Sequence, residues 1–167
     1  MATVQIDENY LTGQFQEFYR EVIRQKKIIQ SYGDALLSTA GGESADKARQ
    51  SAQEIHSNLL GILEKQAVDA GRRGGEYGIR YFREAQYVMA GLGDELFLHM
   101  EWVGRESWKA NLLEFALFGT HVAGELFFKQ LDQLLKNRDA AHIGMAAVYH
   151  LALSLGLVGA LSIIRFR

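Results

Sequence analysis

Apolar residues recur along this chain at the three- and four-residue spacing of an α-helix, and no stretch of any length alternates as a half-buried strand would. Leu11, Phe15, Phe18, Val22 and Ile29 form the first stripe, widened by Tyr19 and Ile23. Glu17, Arg20, Glu21, Arg24, Lys26 and Lys27 occupy the other side. With N-cap candidates at 7–9, this predicts a long amphipathic helix reaching Leu37 and closed by Gly41 and Gly42. A second helix is expected from about Ser44 to Ala70, with Ile55, Leu59, Ile62 and Leu63 toward the core. Gly71, Arg72, Arg73, Gly74 and Gly75 then read as a mobile basic connection. A third helix is expected from Glu76 or Tyr81 to Met100. A fourth follows from Glu106 or Ser107, with Trp108, Leu112, Phe115 and Leu117 or Phe118 inward. Gly119 and Thr120 separate it from a fifth that carries Val122, Leu126, Phe127, Leu131, Leu134 and Leu135 inward and stops at Lys136 to Arg138. A sixth runs from Ala140 to Leu155. The pattern is that of an all-α helical bundle of about six to eight helices in a single domain spanning residues 1–167.

The third helix organises the rest. At about 100° per residue, Ala85, Val88, Met89, Leu96 and His99 share the face of Leu92, while Tyr87, Ala90 and Phe97 share the opposite one with Asp94. A helix apolar on two sides is central. A carboxylate among aromatics on its second face must meet a cation, sit at a groove or be neutral, because burying it unpaired is expensive. A groove lined by Asp94, Glu95, Tyr87 and Phe97 would suit a basic partner segment.

Composition narrows the alternatives. Of 167 residues 48% are hydrophobic and 23% charged, which suits a globular domain with a real core. A net charge of -2 gives no reason to expect nucleic acid. The absence of cysteine removes disulfides and thiolate metal sites, and the absence of proline favours long helices. The opening residues are polar and acidic, unlike a secretory signal. From Ile143 to Ile164 the sole side chain that can carry charge near neutral pH is His150. That length suits a membrane span, although three glycines interrupt it and favour a buried helix.

Candidate chemistry is sparse. Glu95 and His99 are four residues apart, as are His121 and Glu125. A di-iron bundle needs Glu-x-x-His at three-residue spacing on two helices, and no His-Glu-x-x-His occurs. The glycine-arginine stretch 71–75 lacks the Lys-Ser/Thr of a phosphate loop and follows no strand. No serine carries a nucleophile signature. The expectation is therefore no enzyme, no catalytic residue, no metal and no cofactor. A helical-bundle metalloprotein or enzyme using carboxylate and histidine ligands is the alternative.

The order of several short motifs is familiar. Tyr87-Val88-Met89-Ala90 comes first, then Asp94-Glu95, Trp108 and Leu112-Leu113-Glu114. Ala123-Gly124-Glu125-x-Phe127-Phe128 follows, then Leu131 and Leu134-Leu135, and last the stretch from Tyr149 to Gly159. Taken over about residues 10 to 160, this order resembles the DotU/TssL (IcmH) family of type VI secretion systems, with relatives in type IVB systems. Leu157 stands where the family usually has Phe, and the residues after Gly159 are more apolar than its usual continuation. The resemblance implies a non-enzymatic subunit at the bacterial inner membrane whose helical domain faces the cytoplasm. It implies two three-helix bundles in a hook-like arrangement and a membrane anchor after residue 167. It further implies an IcmF/TssM-type inner-membrane subunit and baseplate components as partners, and it leaves self-association open. The family's Asp-Glu motif at a partner-binding cleft corresponds to Asp94 and Glu95.

Overall fold

The computed structural model describes residues 6, 7, 9–36, 42–136 and 142–155. Every regular element among them is an α-helix: α1 (Tyr10–Leu36), α2 (Gly42–His99), α3 (Arg105–Ala110), α4 (Leu113–Phe118), α5 (Ala123–Lys136) and α6 (His142–Ser154). The all-α bundle is thus present, with four long helices and two of six residues each. Fewer long helices form than the pattern suggested, because the second and third run together as one 58-residue element and the fourth is split into α3 and α4.

That element is not straight. Gly75 has φ 57 and ψ -141, outside the helical region and open in practice to glycine alone. Gln86 Nε2 donates to the Leu63 carbonyl at 3.1 Å. In a straight helix these residues would stand about 35 Å apart, so the two halves of α2, residues 42–74 and 76–99, fold back on one another. At the turn the approach is closer still: a Cβ on Gly78 would lie 2.2 Å from the Ala70 carbonyl oxygen. The stretch expected to be a mobile loop is instead a tight helical reversal. Its glycines serve close packing as much as turning.

α1 lies along the first half of α2. Leu11, Phe15, Phe18 and Val22 are buried as their spacing predicts, as are Ile55, Leu59 and Leu63 opposite them. Tyr10 donates to Asp69 at 3.0 Å and Gln66 to the Gln14 carbonyl at 3.0 Å, which fixes the register of the pair. From Ala85 onward the second half of α2 is buried on both sides, with residues 85–90 enclosed without interruption and Leu92, Asp94 and Phe97 continuing the run. His99, expected on a packed face, is exposed.

The remaining helices wrap this hairpin. The fourth predicted helix breaks at Asn111 and Leu112 into α3 and α4, and Phe115, expected inward, is 48% exposed. α5 buries Phe127 and Leu134, whereas Leu135 and Val122, also expected inward, face out. In α6, Met145, Val148, Tyr149 and Ala152 are buried, and the Tyr149 hydroxyl donates to Glu84 at 2.9 Å. The apolar run 143–164, expected to form a buried helix rather than a span, is a packed bundle helix through Ser154 with a turn at Leu155, and residues 156–164 lie outside the described residues. Among the described residues no helix is long and apolar enough to cross a membrane.

Phe127 and Phe128 make a direct test of the α5 face. Phe127 meets the Tyr149 ring at 4.9 Å and is 2% exposed, while Phe128 is half-buried. Phe127→Ala should cost about 3–5 kcal/mol, and Phe128→Ala clearly less. Equal small losses in urea denaturation would contradict the packing.

Candidate functional site

Asp94 is 5% exposed, and its carboxylate meets three donors. Oδ1 accepts from Trp108 Nε1–H at 3.0 Å and from the Leu113 N–H at 2.8 Å. Oδ2 accepts from the Glu114 N–H at 2.9 Å. The two backbone donors open α4, whose N-cap residue, Leu112, has no side chain able to cap. A carboxylate from α2 therefore caps a helix some twenty residues later in the chain, at the end where the helix dipole favours negative charge. Burial pushes the Asp94 carboxyl up to about 7, against the opposing pull of its three donors. The Trp108 ring it holds packs edge-on against His56 and lies 4.5 Å from Phe97. Burial likewise lowers the His56 pKa, and its Nε2 has no hydrogen-bond partner.

A second buried carboxylate repeats the device one element on. Glu114, 3% exposed, receives on Oε1 the Tyr87 hydroxyl at 2.8 Å, the Thr120 hydroxyl at 2.7 Å and the Val122 N–H at 2.8 Å. Val122 immediately precedes α5. Asp94 thus holds the start of α4, and Glu114 in α4 holds the start of α5.

These groups floor a cleft of about 230 Å³ between the second half of α2, α4 and α5. Leu98, Leu112, Val122 and Phe127 give it apolar walls. Asp94, Glu95, Glu114 and Glu125 give it four carboxylates, and no lysine or arginine is among its lining residues. Glu95 differs from the two buried acids and is itself half-buried. His99 Nδ1 lies 3.1 Å from its Oε1 but is engaged with the Glu95 backbone carbonyl at 3.0 Å, so Oε1 is buried without a hydrogen bond. Burial raises the Glu95 pKa, and His99 opposes that rise. At the rim the exposed rings of Phe115 and His121 stack with centroids 4.7 Å apart.

Of the residues that the sequence points to, Asp94, Glu95 and Tyr87 line this cleft. Phe97 does not. It is 1% exposed between Trp102 and Trp108, because the segment after α2 folds back over that face. Glu114 is a site residue that sequence reasoning misses. The one signal available is a lone acid inside the apolar run 112–118. Glu95 of one helical acid–histidine pair and His121 and Glu125 of the other line the same cleft, yet among the described residues no group of three His, Cys, Asp or Glu side chains is placed to hold a metal ion.

The chain is thus an all-α bundle carrying an acidic, apolar-walled cleft against the buried part of its central hairpin. Its sequence matches the family model described as type VI secretion system protein DotU over residues 28–165, and the chain belongs to this family. The protein is accordingly a component of type VI secretion, from a family of structural subunits of the secretion machine's membrane complex. No curated protein and no solved structure matches the chain.

Proposed function

We propose that this protein is a non-enzymatic docking subunit that joins the membrane core of a type VI secretion complex to its cytoplasmic baseplate. In this reading the cleft seats a basic segment of a partner, with the IcmF/TssM-type inner-membrane subunit and the baseplate subunits as candidates. The domain would face the cytoplasm at the inner membrane.

The observation that carries the reading is the Glu95 carboxylate, buried at Oε1 without a hydrogen bond in a cleft of like charge. A buried carboxylate oxygen without a hydrogen bond is costly in the free protein even with His99 3.1 Å away as an ion-pair partner, and a guanidinium or ammonium group entering the cleft would satisfy it. Asp94 shares the cleft but has its donors already, so it supports the site and Glu95 makes the contact. Glu95→Gln should leave thermal stability unchanged or slightly raised. It should weaken capture of the partner subunits from the same gene cluster and flatten the salt dependence of that capture. Undiminished capture by the variant would remove the cleft from the proposal.

A further inference from the structure

The wall of the cleft opposite Glu95 is the start of α5, residues Val122 to Glu125, reached through the turn at Gly119 and Thr120. Gly119 takes a left-handed conformation with φ 68, and nothing lies within 4 Å of the place a Cβ would take, so the turn is not wedged in place at that point. Most of its side-chain anchorage converges on one atom, with a longer Tyr87–Thr120 hydroxyl contact at 3.3 Å beside it. Glu114 Oε1 gathers the Thr120 hydroxyl from the turn, the Val122 N–H from the α5 entry and the Tyr87 hydroxyl from α2.

We propose that Glu114 is the positioning residue of this cleft: by drawing Thr120 and Val122 onto α2 through a single buried oxygen, it sets the distance between the α5 wall and Glu95, and hence the fit of a partner's cationic side chain. Three features converge on this. The tether joins the two elements that form opposite walls. Its acceptor is enclosed, since Glu114 is 3% exposed, so water competes poorly for that oxygen. It is also coupled to Asp94, which holds the Glu114 N–H at 2.9 Å. A shift of α4 would therefore be transmitted to the α5 wall through the same side chain. Glu114 need not touch the partner for this.

The inference rests on the docking reading, and its test separates the two. Glu114→Ala removes the acceptor, whereas Glu114→Gln keeps one carbonyl oxygen where the three donors meet. Amide hydrogen exchange on the full chain is read without any ligand. L-argininamide, titrated by chemical-shift changes, serves as the cationic probe of the cleft. In Glu114→Ala we expect faster exchange confined to residues 119–124, unchanged protection in α1 and α2, and probe affinity reduced about ten-fold or more. Glu114→Gln should restore most of both.

Unchanged exchange at residues 119–124 would overturn the tether. Protection lost throughout the chain would also overturn the proposal, since Glu114 would then be a general fold residue. Local loosening with unaltered probe affinity would show that the wall does not govern the site, and overturn the positioning role. If the wild-type protein ignores the probe and Glu95→Gln captures partners normally, the docking reading fails. The positioning role falls with it, while the exchange measurement still decides whether the tether exists.

Discussion

Asp94→Ala is expected to cost the fold about 3 kcal/mol or more, since three enclosed donors lose their acceptor together and each orphaned donor costs about 1–3 kcal/mol. Those donors are Trp108 Nε1–H and the N–H groups of Leu113 and Glu114. Asp94→Asn should cost less, because its carbonyl oxygen can still accept on one side while its NH₂ group opposes an N–H on the other. Urea denaturation at neutral pH measures both losses. A loss below about 1 kcal/mol for the alanine variant would contradict the cap, since even an exposed N-cap is typically worth about that much. The pH dependence has a definite sign. With the folded carboxyl near about 7 and its reference value at 3.8, the folded protein holds this proton the more tightly. The stability that this group contributes is therefore complete below the reference value and is lost as pH rises toward the folded one. The stability difference between wild type and Asp94→Asn should accordingly shrink between about pH 4 and about pH 7. Taking the difference cancels most of the opposite trend from His56, whose lowered pKa makes the fold lose stability as pH falls.

Gly78→Ala is the second large effect. The added methyl would sit 2.2 Å from the Ala70 carbonyl oxygen, a backbone atom within a helix that cannot rotate aside as a side chain would. Overpacking of this kind typically costs about 1–3 kcal/mol, and here it also spreads the hairpin whose two halves share the Gln86–Leu63 hydrogen bond. Gly61 supplies the control. It is exposed in the same helix, and nothing lies within 4 Å of the place a methyl would take, so Gly61→Ala should be neutral or stabilising, by up to about 1 kcal/mol. Thermal melts of both variants check the pair. Similar melting for the two would show that the halves of α2 do not approach as described.

What the sequence disclosed and what it hid follow from the range of each interaction. The α1 stripe Leu11, Phe15, Phe18 and Val22 was legible because helical burial repeats locally. The two-sided burial of the second half of α2 was legible for the same reason, and it marked Asp94 as a residue with a partner to find. The partner was not legible, because two of its donors are backbone N–H groups nineteen and twenty residues away, and every residue but proline carries one. Phe115 and Val122 misled in the opposite direction. Apolar content placed them inward, yet α4 is too short to bury a full face, and the turn after it carries Val122 to the rim. Phe97 was placed in the groove by its angle on an isolated helix. The return of Trp102 and Trp108 over that face could not be seen from angles alone.

The reversal at Gly75 also bears on how fast the chain folds. Bringing Ala70 against Gly78 closes almost no loop, so the entropy that normally opposes the first tertiary contact is small there. Contacts between the halves of α2 are therefore expected to form early, since topologies rich in such contacts cross their folding barrier quickly. α3 and α4, six residues each, are too short to persist alone. They settle only once a formed hairpin presents Asp94 to them, which places the assembly of the cleft among the last events of folding.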